Sequence, residues 1–302
     1  MGVPQSKLSM QSPILSPLRY PGSKRRLAGY IRQAIMINEI RPSLYIEPFV
    51  GGASVGLQFL QYELAEKVIF MDLDPWVASF WRTVFFDTYW LVEKIRTTKV
   101  TLELWKQLKK SKPRSIREQA WACFYLNRTS FSGILEEKVG PLGGREQKSE
   151  YKIDCRFPRE TLIKRILQAA SFKDKVYGVW NCSWEEGIAS IKDKQKNNKL
   201  PRKGLFYYFD PPFFEQAEEL YRFYFLEKDH IYLRDYLLKL KENWLLSYDL
   251  SEQVETLYGE AIKNKTNGTN HHHVHIYYSL AVLSQRRVAK EVILSNFPKL
   301  PS

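Results

Sequence analysis

Short, almost wholly apolar runs alternate along this 302-residue chain with stretches in which apolar residues recur at helical spacing. Strands that are apolar on both faces and alternate with helices are typical of a parallel sheet covered by helices on both sides. The sequence therefore predicts an α/β fold. The predicted strands are Leu44–Glu47, Lys67–Asp72, Lys175–Trp180, Leu205–Asp210 and Trp244–Tyr248, with one more over Ile276–Leu283 at or near the edge, and the predicted helices include Leu27–Ile37, Val55–Tyr62 and Tyr232–Leu240.

The alternation breaks between residues 90 and 157. This stretch has a charged helical piece over Leu102–Lys110, a second helix ending at Phe124–Asn127, and then Gly140-Pro-Leu-Gly-Gly144, a composition typical of a turn or hairpin tip. A new helix is predicted from Pro158, because proline suits the first helical position. We interpret the chain as a loose tail (1–13), a core in two halves (14–89 and 158–302), and an inserted, mainly helical domain with a hairpin (90–157).

The net charge of +13 is concentrated in the middle of the chain. Residues 1–89 hold 9 lysines and arginines against 7 acidic residues, residues 90–203 hold 26 against 13, and residues 204–302 hold 11 against 13. A localised basic field of this kind attracts phosphate backbones. The alternative is a solvated basic face without a partner. The Lys192–Lys203 run is interpreted as an exposed loop.

The cysteines and the hydropathy pattern indicate the cellular compartment in which the protein is expected. Cys123, Cys155 and Cys182 are odd in number and far apart, so they form neither a disulfide framework nor a zinc-binding spacing, and a reducing cytoplasm is expected. No apolar run approaches the roughly 18 residues that a membrane helix needs, and the N-terminus lacks a signal-peptide apolar stretch. We expect a cytoplasmic protein without a membrane partner.

The segment from Leu44 to Ser54 runs from a strand through two glycines into a helix. Glycines at such a turn let the backbone approach a ligand beside the helix N-terminus. The run lacks the G-x-G-x-x-G spacing of a dinucleotide-phosphate loop. At the strand tip, Glu47 would suit the positively charged amino group of a methionine moiety. A plain strand–turn–helix accounts for the segment equally well.

Two further features fit a nucleoside cofactor. Asp72 ends the next strand, 21 residues after Gly51, which is the spacing at which an acidic residue reaches the ribose hydroxyls of a bound nucleoside. The segment Arg19-Tyr-Pro-Gly-Ser-Lys-Arg-Arg26 precedes a helix, where cations oppose the helix dipole, so Lys24–Arg26 call for a compensating anion. Side chains that extend outward into solvent are the alternative.

The strongest chemical indication is Phe206-Tyr-Tyr-Phe-Asp-Pro-Pro-Phe213. A buried aromatic strand delivers a carboxylate to the edge where open α/β sheets bind ligands, and two prolines stiffen the turn while leaving its carbonyl groups free as acceptors. An amino group on a flat heterocycle needs two acceptors and a face to stack on. Asp210, the Pro211 carbonyl and Phe213 would supply them to a base rotated out of a duplex.

These motifs and their order along the chain (cofactor half, recognition domain, catalytic half) resemble those of the Dam family of DNA adenine-N6 methyltransferases. The resemblance joins Arg19–Lys24 to that family's (K/R)-aromatic-x-G-x-K motif, Glu47–Gly52 to its E-P-F-x-G loop, Asp72 to its second acidic motif and Asp210–Phe213 to its D-P-P-aromatic motif. Phe124–Gly133, with Asn127 and Arg128, is similar to its F-x-L-N-R-x-x-(F/Y)-N-G motif. Cys155–Phe157, Leu246–Tyr248 and Glu291–Leu294 continue the match over nearly the whole chain.

The resemblance implies a Rossmann-like methyltransferase sheet that acts on double-stranded DNA, without a metal. It implies S-adenosyl-L-methionine as the methyl donor, in contact with Tyr20, Lys24, Glu47, Phe49, Gly51, Asp72 and Asp210. It implies that Asp210, Pro211 and Phe213 hold the adenine, and that Arg19, Asn127, Arg128, Ser130 and Arg156 contact DNA. The DNA site, the oligomeric state and the presence of a cognate restriction endonuclease stay open.

The chain departs from the family's pattern at three places. Phe213 stands where tyrosine is commoner, which keeps the stacking face and drops a hydroxyl. Cys182 and Ser183 follow the strand ending at Trp180 where an acid is expected, so the contact to the adenine ring of the cofactor is unassigned. Pro158 stands where the family often has a polar residue after Arg-Phe.

Other functions remain open. A catalytically silent DNA-binding regulator is one, although intact Lys24, Asp72 and Asp210 argue against it. Methylation of protein glutamine is another, but its turn typically resembles N-P-P-Y. Cytosine C5 methylation normally uses a cysteine in a Pro-Cys turn, which this chain lacks. Cytosine N4 presents the same donor pair as adenine N6, and Asp210 favours adenine because cytosine-N4 enzymes more often resemble S-P-P-aromatic.

The histidine tract His271–His275 could suggest a metal site. It has no acidic or cysteine neighbour in sequence and follows the turn-like Thr266–Asn270. We interpret it as a polar loop leading to the strand at Ile276.

Overall fold

The computed structural model describes residues 12–215, 217–278 and 287–301. Residues 1–11 of the predicted tail (1–13) and residues 279–283 of the predicted Ile276–Leu283 strand therefore lie outside the described residues. None of the described helices is long and apolar enough to cross a membrane.

Seven strands form one sheet, in the order β3-β2-β1-β4-β5-β7-β6. The strands β1 to β5 pair in parallel, whereas β7 is antiparallel to both β5 and β6. The bounds are β1 Leu44–Glu47, β2 Lys67–Asp72, β3 Val176–Asn181, β4 Leu205–Phe209, β5 Asn243–Asp249, β6 Asn270–Tyr278 and β7 Arg287–Ser295. The chain moves outward from β1 to β3 and returns to β4 beside β1, so the crevice at the carboxyl ends of β1 and β4 is the expected ligand site.

Helices cover both faces of the sheet, and several begin at side-chain caps. Asp74 accepts from the backbone N–H of Trp76 with Pro75 in the first helical position, and Ser115 and Ser183 each form a capping box with a glutamate three residues on. The helices are α1 Ala28–Ile37, α2 Gly56–Gln61, α3 Pro75–Phe86, α4 Thr88–Thr97, α5 Leu102–Lys110, α6 Ile116–Thr129, α7 Arg159–Ala170, α8 Trp184–Lys196, α9 Ala217–Leu220, α10 Glu227–Leu237 and α11 Glu252–Lys263.

The strands separate two hydrophobic cores. Successive side chains of a strand point to opposite faces, so Tyr45 and Phe206 join one core while Ile46 and Tyr207 join the other. Burial on both faces explains why these strands read as continuous apolar runs. The predicted α/β class, a Rossmann-like sheet with helices on both sides, is confirmed.

Helices α4 to α7 carry 10 of the 26 lysines and arginines of residues 90–203, which we call the basic stretch. The rings of Phe80 on α3 and Phe124 on α6 stack with centroids 5.8 Å apart, and Phe124 belongs to the same core as Tyr45 of β1. The basic stretch is therefore built directly onto a helical layer of the sheet. The predicted hairpin is reduced to one isolated antiparallel bridge, Ser130 to Pro141, and the described residues between α6 and α7 contain no strand.

Several predicted boundaries were wrong. Pro158 caps α7 rather than starting it, Lys192–Lys196 belong to α8 rather than to a loop, and α10 begins at Glu227 instead of Tyr232. The Asp229 carboxylate accepts from the backbone N–H of Leu226, which fixes the earlier start of α10.

The prediction of a polar loop over His271–His275 was also wrong, because these residues lie in β6. Their backbone pairs with β7 along its whole length, from Asn270 opposite Ser295 to Tyr278 opposite Arg287. The pairing depends on the next strand along the chain, so the composition of the tract by itself does not reveal it.

Candidate active site

The carboxyl ends of β1, β2 and β4 open onto one pocket of about 830 Å³, including the solvent in its mouth. The topology places it there, since β1 and β4 are the neighbours at which the chain reverses direction across the sheet. Its lining comes from the segment before α1 (Tyr20, Pro21, Lys24), the turn after β1 (Glu47, 49–55), the turn after β2 (72–74), the end of β4 (Tyr208, 210–212) and residues 221–225.

Asp210 follows the last residue of β4 and is paired with Lys24. Its Oδ1 accepts from Lys24 Nζ at 2.9 Å and from the Ser247 hydroxyl at 2.9 Å. Lys24 is only 3% exposed. Burial alone would lower the pKa of Lys24, but the carboxylates of Asp210 and Glu291 raise it well above its usual range. The lysine is a buried cation facing the Asp210–Phe213 turn.

Phe213 lies against the segment before α1. The Lys24 Nζ is 5.4 Å from the Phe213 ring centroid, and the ring meets Tyr221 edge-on at 5.7 Å. Gly22 has a φ of +68°, and a Cβ there would lie 2.6 Å from Cζ of Phe213. Only glycine lets the backbone pass this close to the ring in this conformation.

Asp72 holds the glycine turn after β1. Its Oδ2 accepts from the backbone N–H of Gly51 at 2.9 Å and its Oδ1 from that of Asp74 at 2.9 Å. The Trp81 indole donates to the Gly51 carbonyl at 2.7 Å, and Tyr20 packs across Gly51 so closely that a Cβ would lie 2.6 Å from its ring. Burial, and then the Asp74 charge, raise the pKa of Asp72 to about 7.

Glu47 is the buried acid of β1. The Tyr45 hydroxyl donates to its Oε2 at 3.0 Å, and a Cβ on Gly56 would lie 2.4 Å from the same oxygen, so the start of α2 is pressed against this carboxylate. Burial raises the pKa of Glu47 well above its usual range. Three carboxylates thus converge on the pocket where a cationic ligand would stabilise their ionised forms.

Residues 20–278 match the family model of the D12 class N6 adenine-specific DNA methyltransferases. The chain belongs to this family. The resemblance inferred from the motifs is therefore confirmed. Among solved structures, the chain is similar to precorrin 8W decarboxylase, the product of gene MT0146 of Methanobacterium thermoautotrophicum, at 12% identity over 95% of this chain and 94% of that chain. The TM-score of 0.36 is too low for that likeness to carry an argument. No curated protein matches the chain.

Sequence reasoning missed Arg222 and Asp74, which both line the pocket of this D12 methyltransferase. The Arg222 guanidinium donates to Asp74 Oδ1 at 2.8 Å and lies 3.8 Å from the Trp76 ring centroid. This contact ties the segment after the Asp-Pro-Pro-Phe turn to the loop after β2. A lone arginine within the aromatic run Tyr221–Phe225 is the signal that the sequence offered.

The structure divides the predicted DNA-contacting residues into two kinds. Asn127 is fully buried: its Oδ1 accepts from the Arg19 backbone N–H at 2.7 Å, and its Nδ2 donates to the carbonyls of Gly133 at 2.7 Å and Arg19 at 3.0 Å. Ser130 is also fully buried, and its hydroxyl accepts from the Trp105 indole at 3.0 Å. The Asn127 side chain connects the N-terminal segment to α6, and the Ser130 side chain connects the end of α6 to Trp105 of α5.

The predicted arginines lie together beside this junction. Arg128 donates from Nε to the Arg156 carbonyl at 2.7 Å. Burial, followed by the charges of Arg19, Arg165 and Arg156, lowers the pKa of Arg128 to about 9. Burial and the Arg156 charge also lower the pKa of Arg19. Four cations that destabilise one another form a surface that an anion would stabilise, which we call the arginine cluster.

Proposed function

We propose that this protein transfers a methyl group from S-adenosyl-L-methionine to the N6 nitrogen of an adenine that is rotated out of duplex DNA, at a specific sequence. The observation that carries the proposal is the Asp210-Pro-Pro-Phe213 turn, which borders a pocket lined by carboxylates. The family match supports the class of reaction and of substrate. The donor, the flipped base and the individual residue roles are the proposal.

The pocket fits a nucleoside donor that carries a sulfonium and an ammonium group. Glu47, Asp72 and Asp210 supply negative charge, and burial has raised the pKa of each, so a cationic ligand would stabilise their ionised forms. We assign Asp72 to the ribose hydroxyls and the Gly51 backbone to close approach. Tyr20, Phe49 and Lys24 complete the predicted donor site, and all three line the pocket. When bound, the donor supplies an electrophilic methyl group.

Asp210, Pro211 and Phe213 are assigned to the target adenine. Among the described residues, both hydrogen bonds of the Asp210 carboxylate go to Oδ1, which leaves Oδ2 to accept from the N6 amino group. The Pro211 carbonyl accepts the second N–H, and Phe213 provides the stacking face. Two acceptors direct the nitrogen lone pair toward the methyl group. Catalysis comes from positioning and fixed dipoles, since a leaving thioether needs no proton.

The arginine cluster is assigned to the DNA backbone. Arg19, Arg128 and Arg156 were predicted to contact DNA, and Arg165 joins them in space. Asn127 and Ser130 are fully buried, so we assign them a positioning role: Asn127 holds the Arg19 backbone against α6, and Ser130 holds the end of α6 against Trp105 of α5. Residues 90–157 would then present the basic surface for target recognition.

Plasmid DNA from cells that express the chain, digested to nucleosides and analysed by mass spectrometry, tests the proposal. We expect N6-methyladenine with the native chain and none with Asp210→Ala. Single-molecule sequencing of the same DNA would report the sequence context. A signal for N4-methylcytosine without N6-methyladenine would contradict the choice of base and leave the fold assignment intact.

A further inference from the structure

Two carboxyl groups lie behind Lys24, outside the lining of the pocket. Glu291 of β7 is fully buried, and its Oε1 is 3.7 Å from Lys24 Nζ. Asp249, the last residue of β5, is paired directly opposite Glu291 in the antiparallel β5–β7 ladder. The proposed reaction gives neither residue a role.

Residues directly opposite in an antiparallel ladder have Cβ atoms about 4.5–5.5 Å apart, so the carboxyl groups of Asp249 and Glu291 are within reach of a mutual hydrogen bond, and such a bond lowers the pKa of Asp249. An ionised carboxylate can only accept hydrogen bonds, so a bond between two carboxyl groups requires a proton on one of them. Two negative charges directly opposite each other in a ladder would also be destabilising. Burial raises the pKa of Asp249, and the Lys24 cation offsets part of that rise. Chemistry and geometry both favour one proton on the pair.

Lys24 connects this pair to the catalytic turn. Its Nζ has Asp210 Oδ1 at 2.9 Å on one side and Glu291 Oε1 at 3.7 Å on the other. The titratable groups that face this lysine are Asp210 and Tyr208 from the end of β4, Asp249 from β5 and Glu291 from β7. The Tyr221 hydroxyl, from the loop after β4, faces the same charges. On β6, the residue opposite Glu291 is the apolar Val274.

We propose that Asp249 and Glu291 share one proton and that this singly charged pair positions Lys24 against Asp210. Loss of the proton would leave two negative charges on the far side of Lys24 and draw its Nζ away from Asp210 Oδ1. The carboxylate that accepts from the adenine amino group would then lose its cationic partner. For its effect on the reaction, this inference rests on the function proposed above.

The first test compares the stability of the native chain and Glu291→Gln as pH rises, without any substrate. Glutamine keeps the shape and donates to Asp249 without a titrating proton. A carboxyl whose folded pKa is raised contributes stability that is fully present below its unfolded pKa and is lost as pH rises to the folded pKa. The native chain should therefore lose about tenfold in its folding equilibrium constant per pH unit within that window, relative to the variant. The contributions of Asp72 and Glu47 to the pH dependence of stability are the same in both chains and therefore cancel in the comparison.

The second test is the pH profile of methyl transfer with donor and DNA saturating. Glu291→Gln should move the alkaline limb upward by about one pH unit or more, whereas Glu260→Gln on the exposed face of α11 should leave it unchanged. Should Glu291→Gln fail to fold, Asp249→Asn serves with the same expectation. Stability and activity profiles that coincide for native and variant chains would overturn the shared proton. A native chain that makes no N6-methyladenine would instead defeat the proposed function, and the stability comparison would still decide the pair.

Discussion

In the pocket at the carboxyl edge of the sheet, Glu47, Asp72 and Asp210 are largely buried and bonded to other groups of the protein. Between residues 90 and 203, by contrast, most of the 26 lysines and arginines are exposed. Buried charges are screened little by salt, but burial moves their pKa values toward neutral pH. Exposed lysines and arginines stay charged at neutral pH and are screened strongly.

The difference teaches that the two binding events should respond to different variables. Donor binding in the pocket should depend on pH, and DNA binding on the basic surface should depend on salt. Arg128 is the exception: it belongs to the basic stretch, where salt dependence is expected, but it is buried like the carboxylates of the pocket. The predictions below test whether the regions are as separate as their charges indicate.

The largest effect is expected for Asp210→Ala. Methyl transfer should fall by at least about 100- to 1,000-fold, because the substitution removes the acceptor that we propose for the reacting amine. DNA affinity measured by fluorescence anisotropy should stay within about twofold, since the basic surface lies elsewhere. Asp193→Ala, an exposed acid of α8, is the matched control and should leave both unchanged. A variant that kept a substantial fraction of native turnover would contradict the role of Asp210.

Salt should weaken DNA binding by about a hundredfold between 50 and 200 mM if the arginine cluster neutralises about four phosphates, at a log–log slope of ~0.9 per phosphate. Arg156→Gln and Arg128→Gln should each reduce the slope by about 0.9. Arg156 is the cleaner position because it is exposed. Arg202→Gln, an exposed arginine after α8, is the control for general charge. A flat salt dependence would show that the basic stretch is not a DNA surface.

Donor affinity should rise about tenfold between pH 6 and pH 8, because a cationic ligand favours ionised Asp72, whose pKa burial raises to about 7. Binding then releases a proton near neutral pH. Calorimetry in two buffers of different ionisation enthalpy measures this release directly. Asp72→Asn should bind more weakly and lose the pH dependence. Equal affinity across this range in the native chain would mean that Asp72 does not titrate in the pocket.

The smallest effect is expected for alanine substitutions at two glycines, Gly22 beside the pocket and Gly144 in the basic stretch. Gly22 and Gly144 have φ values of +68° and +76°, so alanine brings similar backbone strain to both, about 1–2 kcal/mol. Only at Gly22 does the new Cβ meet a ring, that of Phe213, whereas nothing lies within 4 Å at Gly144. Gly22→Ala should lower turnover severalfold beyond any loss of stability, and Gly144→Ala should not. Equal turnover in the two variants would show that the Phe213 position tolerates displacement.

Local pattern determined the five parallel strands of the sheet and much of the pocket. Strands β1 and β2 were predicted with their observed bounds, the predicted β4 differs by one residue at one end, and the predicted β3 and β5 differ by one residue at both ends. Asp72 and Asp210 come directly at or after strand ends, where a parallel sheet brings its ligand-binding side chains together. A buried strand depends mostly on its own apolar residues, so its position can be read from a short stretch of chain.

Tertiary structure alone decided the features that depend on partners outside the local stretch of chain. The histidine tract became a strand because β7 pairs with it. Asn127 became an internal link because the N-terminal segment packs on α6, Ser130 because Trp105 of α5 reaches it, and Arg222 reached Asp74 across 148 positions of sequence. Lys24, Asp249 and Glu291 meet only because β7 enters the sheet beside β5. The identity of a polar residue predicts which bonds it can make, but burial and its long-range partners decide which ones it does make.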